Sequence, residues 1–371
     1  MAKICLNMIV KNESAILAEC LESVRPWISS YVICDTGSTD GTLELIQSFG
    51  ERHSLLGEVH SIEFQDFSQA RNQALEKARR SSLEFDFLLF IDADMRLVTD
   101  GLTPAVLNPQ VDAYLMEQRN PELGYWNLRL LRRSALAEYQ GSTHEALHVE
   151  GNCQRLECAW MRDLANGSNR IHKLQRDIQL LRQDLEQNPN DARSTFYLAQ
   201  TLRDSGDHLQ ALQLYQSRAQ MPGWDQESWY ASYMAGCSLL TLDRLEEASQ
   251  RLLQAYAQRP QRLEPLYHLA KAYRERGQPE LAWLFCQIGL GKPAPSSDEI
   301  LFVENFVYQW GFREEASISG FYVNDPGAQR LGRTHCKFLA EDPNVPDNVR
   351  EMARSNLAYY TQTRQPVLTA A

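Results

Sequence analysis

Two aspartates bracket a single alanine at the end of an apolar run. "FLLFIDADM", Phe87 to Met95, sets Asp92 and Asp94 just past five apolar residues. Carboxylates that close raise one another's pKa unless a cation stands beside them. The pair therefore faces either water at a strand end or a cation. Other side chains able to do chemistry fall in short clusters elsewhere. "VKNE" carries Val10, Asn12 and Glu13, and "DTGSTDGT" opens on Asp35 and contains Asp40. "SQARNQA" carries Arg71 and Asn72, and "GSTHEAL" carries His144 and Glu145. The His-Glu dipeptide lacks the second histidine that a zinc-protease helix needs, so that reading is set aside.

The elements that must position these residues follow from the apolar pattern. Strand-like runs at 4–10, 31–34, 58–64 and 85–91 alternate with helical patterns at 14–24, 42–49 and 68–80. Such alternation predicts a parallel sheet with right-handed crossovers, a Rossmann-like α/β domain. Ligands bind beyond the carboxyl ends of strands in such sheets. The clusters at Val10, Asp35 and Asp92 all fall at such ends, so three distant stretches converge on one edge. Asp40 precedes a helix and reads as its N-cap.

From Asp177 onward the pattern is helical and repeats. Ala199, Gly236 and Ala270 are each followed twelve residues later by alanine (Ala211, Ala248, Ala282), and four residues after that by Tyr215, Leu252 and Cys286. Offsets of 37 and 34 residues with small–small–large spacing are the tetratricopeptide signature. "GLGKPAPSSDE" (289–299) breaks the pattern, and further helices follow, including one over 346–361. The expected division is a sheet domain at 1–165, a linker helix with repeats at 166–291, and a helical repeat or cap at 292–371.

Composition excludes several classes. The 371 residues carry a formal net charge of −11 and no basic stripe, which argues against nucleic acid or an anionic membrane as the main partner. The apolar stretch before Lys11 is too short for a signal peptide, and no run of about 18 apolar residues could span a bilayer. Eight scattered cysteines read as reduced thiols of a cytoplasmic protein. Cys153 and Cys158 are the only close pair, with no second pair to complete a zinc site.

Four stretches, "MIVKNESAILAECLESV", "VICDTGSTDGT", "DFSQARNQALEKA" and "LLFIDADM", resemble in order and spacing the family 2 glycosyltransferases, whose nucleotide-sugar-binding fold is called GT-A. The likeness covers about residues 3–150, and the whole chain resembles the bacterial subgroup that adds tetratricopeptide repeats. The resemblance implies an inverting, hexosyltransferase-like enzyme with a uridine diphosphate donor and a divalent metal, Mn2+ or Mg2+. It places Asp92 near the ribose, Asp94 on the metal and Asp35 on the uracil ring. Val10, Asn12, Glu13 and Arg71 then line the nucleotide. His144 completes the protein's metal ligands, and Glu145 is the leading candidate for the base, with Glu117 and Glu122 as rivals.

The residues themselves leave blander roles open: an exposed acidic turn for Asp92 and Asp94, a turn cap for Asp35, a helix cap for Glu13, a surface ion pair for Arg71, and a structural role for His144. The competing class is an interaction scaffold with a degenerate catalytic domain, which has no need of two adjacent carboxylates. A nucleotidyltransferase would want a glycine-rich phosphate loop after the first strand, and "MIVKNES" has no glycine. A two-carboxylate glycosidase would have no use for a nucleotide site. Repeat arrays present concave surfaces, so a protein or peptide acceptor is expected there, or a second copy in a homo-oligomer. Donor chemistry is not expected to need the repeats.

Overall fold

A computed structural model describes residues 2–99, 106–119, 124–164 and 170–361. The chain forms two compact units, Met1–Asp207 with Ile300–Val303, and His208–Glu299 with Glu304–Ala371.

The first unit begins β1 (Ile4–Val10), α1 (Leu17–Val24), β2 (Ser30–Asp35), α2 (Thr42–His53), β3 (Leu56–Ser61), α3 (Phe67–Arg80) and β4 (Phe87–Phe90). It continues with β5 (Met95–Thr99), β6 (Ala113–Arg119), β7 (Gly124–Arg132), β8 (Leu136–Gln140), β9 (Ala146–Glu150) and β10 (Cys153–Asp163), then α4 (Arg170–Gln187) and α5 (Ala192–Asp204). Eight strands form one sheet in the order β3-β2-β1-β4-β7-β6-β10-β5, and β8 and β9 pair separately. β1 pairs in parallel with both β2 and β4, while β4–β7, β7–β6 and β10–β5 are antiparallel. The strand order reverses between β1 and β4, and in such sheets the crevice that takes a ligand lies beyond the carboxyl ends of the strands at that point. Val10 ends β1, and Asp92 and Asp94 follow β4.

The central strands are buried along nearly their whole length, as sheets covered on both faces require. Alternation splits their side chains between two cores. Leu6, Met8, Ile33 and Leu89 pack with Leu17 and Leu21 of α1 and Ile46 of α2. Cys5, Val32 and Leu88 pack with Leu75 and Ala78 of α3 on the opposite face. α1 starts at Leu17 rather than Ser14, because Asp40 Oδ2 accepts from the Ser14 N–H at 3.1 Å and residues 14–16 form a turn.

The second unit is helical: α6 (His208–Arg218), α7 (Asp225–Thr241), α8 (Leu245–Gln258), α9 (Glu264–Glu275), α10 (Pro279–Gly289), a π-helical turn at Val307–Gly311, then α11 (Phe312–Tyr322), α12 (Pro326–Glu341) and α13 (Asp347–Thr361). Every position aligned by the repeat is buried in the fold. A Cβ on Gly236 would stand 2.7 Å from Leu252 Cδ2, so the small residue is dictated by the large one of its own repeat.

The sheet-bearing unit runs past residue 165 to include α4, α5 and the short segment Ile300–Val303, whose Val303 bridges Gly124 of β7. Among the described residues no helix is long and apolar enough to cross a membrane, and no two cysteines are joined in a disulfide.

Candidate active site

Asp92 lies between two guanidiniums. Arg71 Nη2 on α3 donates to its Oδ1 at 2.6 Å, and Arg129 Nη1 on β7 donates to its Oδ2 at 3.3 Å. Although burial alone would push the carboxyl up, these cations hold it well below the usual carboxylate range. Arg129 is itself buried, donating to Gln118 Oε1 at 2.6 Å, and Gln118 donates onward to Asp163 at 2.9 Å. Arg71 sits over the buried Tyr139 ring, 5.7 Å from its centroid, and its Nε donates to Glu145. Thus one arginine joins the aspartate after β4 to the glutamate before β9. Asn72 is absorbed elsewhere, exchanging 2.8 Å hydrogen bonds with the Tyr139 backbone to dock β8 on α3.

Asp94 has no such partner. No ion pair holds its side chain among the described residues, and its pKa is raised by burial first, then by Asp92 and Asp163. Glu13 belongs to the same field: burial and the charges of Asp94, Asp40 and Asp92 push it up to about 7. Its Oε2 is buried without a hydrogen-bond partner among the described residues. Lys173, exposed on α4, is the nearby positive charge acting on both groups. The Glu13 carbonyl accepts from Leu17 N–H at 2.9 Å, so its backbone starts α1 while its side chain is left over.

The loops after β1 and β2 are laced together. Asn12, at φ +55°, donates its N–H to Ser38 Oγ at 2.9 Å and accepts from Thr39 N–H at 2.7 Å. Asp35 is 4% exposed and accepts from Gly37 N–H at 3.0 Å and from Ser38 N–H at 3.0 Å and 3.2 Å. Gly37 makes this fold-back possible with φ +101°, a conformation costly to any side chain. The Val10 carbonyl accepts twice from Thr36, at 3.0 Å and 3.2 Å, leaving it no lone pair for a ligand. Asp40 accepts from Thr42 N–H and Oγ1 at 3.0 Å and 2.5 Å, at the first turn of α2, as well as from Ser14.

His144 and Glu145 lie in the loop joining β8 to β9. His144 has φ +51°, and its ring stacks on Tyr197 of α5 with centroids 4.4 Å apart and planes 6° from parallel. The residue stays exposed, yet the protein crowded round its ring pushes its pKa down, and Lys173 and Arg193 push the same way. It is therefore a neutral imidazole at pH 7.

Among the described residues no three His, Cys, Asp or Glu side chains are gathered so as to hold a metal ion. His144 and Asp94 feel separate sets of carboxylates and share only Lys173 as a neighbouring charge. What the site does offer a hard cation is two carboxylates, Asp94 and Glu13, the latter with an orphaned oxygen. That set fits magnesium or manganese, which take one or two carboxylates and draw their remaining ligands from phosphate and water.

Of the rival bases, Glu117 pairs with Arg119 at 2.5 Å, and Glu122 lies outside the described residues. Sequence reasoning missed Arg129, Gln118, Lys173, Arg193 and Tyr197. Only Arg129 left a trace, as a charge between two leucines in "NLRLL".

Residues 5–120 match the family model for glycosyl transferase family 2. A TPR repeat-containing protein of Synechococcus elongatus is 28% identical over 310 residues, covering 76% of this chain and 74% of that protein. The lipopolysaccharide core biosynthesis glycosyltransferase LpsC of Rhizobium meliloti is 29% identical over 160 residues, 39% of this chain and 57% of LpsC. Among solved structures, S. aureus TarS 1–349 in complex with UDP-GlcNAc aligns over 70% of this chain and 92% of that one, with 14% identity and a TM-score of 0.37. Over residues 5–120 the chain is thus similar to glycosyl transferase family 2, and over most of its length to a TPR repeat-containing protein.

Proposed function

We propose that the first unit transfers a sugar from a uridine diphosphate donor to an acceptor nucleophile, with inversion and with the aid of a divalent ion. The observation that carries this reading is the uneven charge of the crevice. Asp92 is neutralised by Arg71 and Arg129, whereas Asp94 and Glu13, close enough to raise Glu13's pKa, have no paired cation among the described residues. Two carboxylates whose pKa values are both raised, beside one already ionised, form a site that a cation would stabilise. When bound, magnesium or manganese supplies Lewis-acid stabilisation to the departing diphosphate.

The chain's own residues have distinct tasks in this reading. Asp94 and Glu13 hold the cation, and Lys173 adds positive charge on the same side. Asp92, fixed by its two arginines, presents its outer lone pairs to the ribose. Among the described residues Asp35 Oδ1 accepts only the Ser38 N–H, at 3.2 Å, so a lone pair is left for the uracil N3–H. Val10 and Asn12 act through the loops they hold rather than by polar contact. Glu145 takes the acceptor's proton on Oε2, because Oε1 is occupied by Arg71. Inversion requires that group on the face opposite the leaving diphosphate. The acceptor is proposed to be a protein or peptide held by the repeat surface.

Titration calorimetry with uridine diphosphate tests the reading. Binding should strengthen at least tenfold on adding manganese. Equal affinity in chelator and in excess manganese would remove the metal, and no binding in either would remove the nucleotide.

A further inference from the structure

The loop carrying His144 and Glu145 is held by elements from three places. At its start Gly141 takes φ +102°, and the Ser142 carbonyl accepts from the Phe67 N–H of α3 at 2.9 Å. Ser142 Oγ donates to Asp184 of α4 at 2.6 Å. At its end, the His144 carbonyl accepts from Arg193 Nη2 at 2.7 Å, while its ring lies flat on Tyr197. Arg193 and Tyr197 are one turn apart on α5, with the Arg193 guanidinium 4.8 Å from the Tyr197 ring centroid. The phase of that turn is set by Asp191, which caps α5 by accepting from Arg193 N–H at 2.9 Å and Ser194 N–H at 3.2 Å.

His144 has no glycine's freedom, so its left-handed backbone persists only while its surroundings insist on it. The backbone at 144 decides where the next side chain points. In the structure Glu145 points at Arg71, and through it at Asp92. Relaxing His144 to an ordinary φ would reverse the course of the chain there and carry Glu145 away from α3.

We propose that Tyr197 and Arg193 are positioning residues for the transfer reaction: they hold His144 in its left-handed conformation and so aim Glu145 into the crevice. This rests on the reading of Glu145 as the base. It also gives α5, which sequence periodicity assigns to the repeats, a direct task in the chemistry. Neither residue is among those assigned to the donor, so their loss should act on turnover rather than on nucleotide binding.

The test uses the full chain and the variants Tyr197→Ala, Tyr197→Phe and Arg193→Gln. Three quantities are compared: hydrolysis of a panel of uridine diphosphate hexoses, uridine diphosphate affinity, and hydrogen exchange of the 141–147 segment. Tyr197→Ala should lower kcat at least tenfold with donor KM and nucleotide affinity within twofold of wild type, and exchange at 145–147 should quicken. Tyr197→Phe keeps the stacked ring and should restore both turnover and protection, whereas Arg193→Gln should fall between. A merely structural role would reduce the amount of folded protein and leave kcat per folded molecule unchanged, which would overturn the proposal. So would parallel loss of kcat and nucleotide affinity. If the wild type hydrolyses no donor at all, the transferase reading fails on its own. Exchange then still decides the clamp, and unchanged protection at 141–147 in Tyr197→Ala overturns it.

Discussion

Arg71 Nη2 stands 2.6 Å from Asp92 Oδ1, and that contact turns two look-alike aspartates into unlike groups. Asp92 is held ionised by a cation the chain supplies, while Asp94 two residues on is pushed the other way. Enzymes commonly separate the tasks of two carboxylates by giving them unlike surroundings.

The Arg71–Asp92 contact should be visible as coupling. With 13% of the Arg71 side chain exposed, breaking the pair from one side should cost about 3 kcal/mol, less whatever Arg129 retains. Arg71→Gln and Asp92→Asn in a double-mutant cycle should show a coupling of about 1–3 kcal/mol in urea denaturation. Additive effects would mean that the contact contributes nothing to folding.

Asp94→Ala should abolish donor turnover while leaving the fold intact, since the Asp94 side chain holds no ion pair among the described residues. Its uridine diphosphate affinity in chelator should match wild type, and the strengthening by manganese should vanish. A variant that kept the full manganese effect would exclude Asp94 as a ligand.

Glu13 sets a pH dependence whose sign can be worked out. Its pKa rises from 4.5 to about 7 on folding, so the native state binds more protons than the unfolded state between those values. Metal-free stability should therefore fall as pH rises from about 4.5 through 7. A shift of that size bounds the effect at ~3 kcal/mol; solvent screening of this half-covered group leaves about 1 kcal/mol. Glu13→Gln should thus be more stable than wild type at pH 8 and indistinguishable from it at pH 4. Thermal denaturation at the two pH values checks this, and an equal effect at both would assign Glu13 another role.

Glu145→Gln keeps a polar group against Arg71 but has no basic oxygen to offer. It should retain nucleotide binding and lose transfer by about 10²–10⁴-fold, the usual share of general-base catalysis. Binding lost together with turnover would place Glu145 on the donor instead. An unchanged rate would hand the base role to Glu117 or Glu122.

Local pattern determined a good deal of this protein. The buried strands of "ICLNMIV" and "FDFLLFI" and the convergence of Val10, Asp35 and Asp92 on one sheet edge follow from periodicity and strand polarity alone. So does the repeat, because Ala199, Gly236 and Ala270 must be small wherever paired helices touch. Periodicity reports which face of an element is buried, and that is a local property. The partners of charged side chains are not. Arg129 meets Asp92 across 37 residues only because β7 enters the sheet antiparallel beside β4, which no apolar pattern encodes. The same holds for α5: its helical period assigns it to the repeats, yet the tertiary fold sets its Tyr197 ring on His144. Strand order, register and docking are decided by the sum of many weak burials over the whole domain, so the identity of the groups that share the crevice emerges only when the chain is folded.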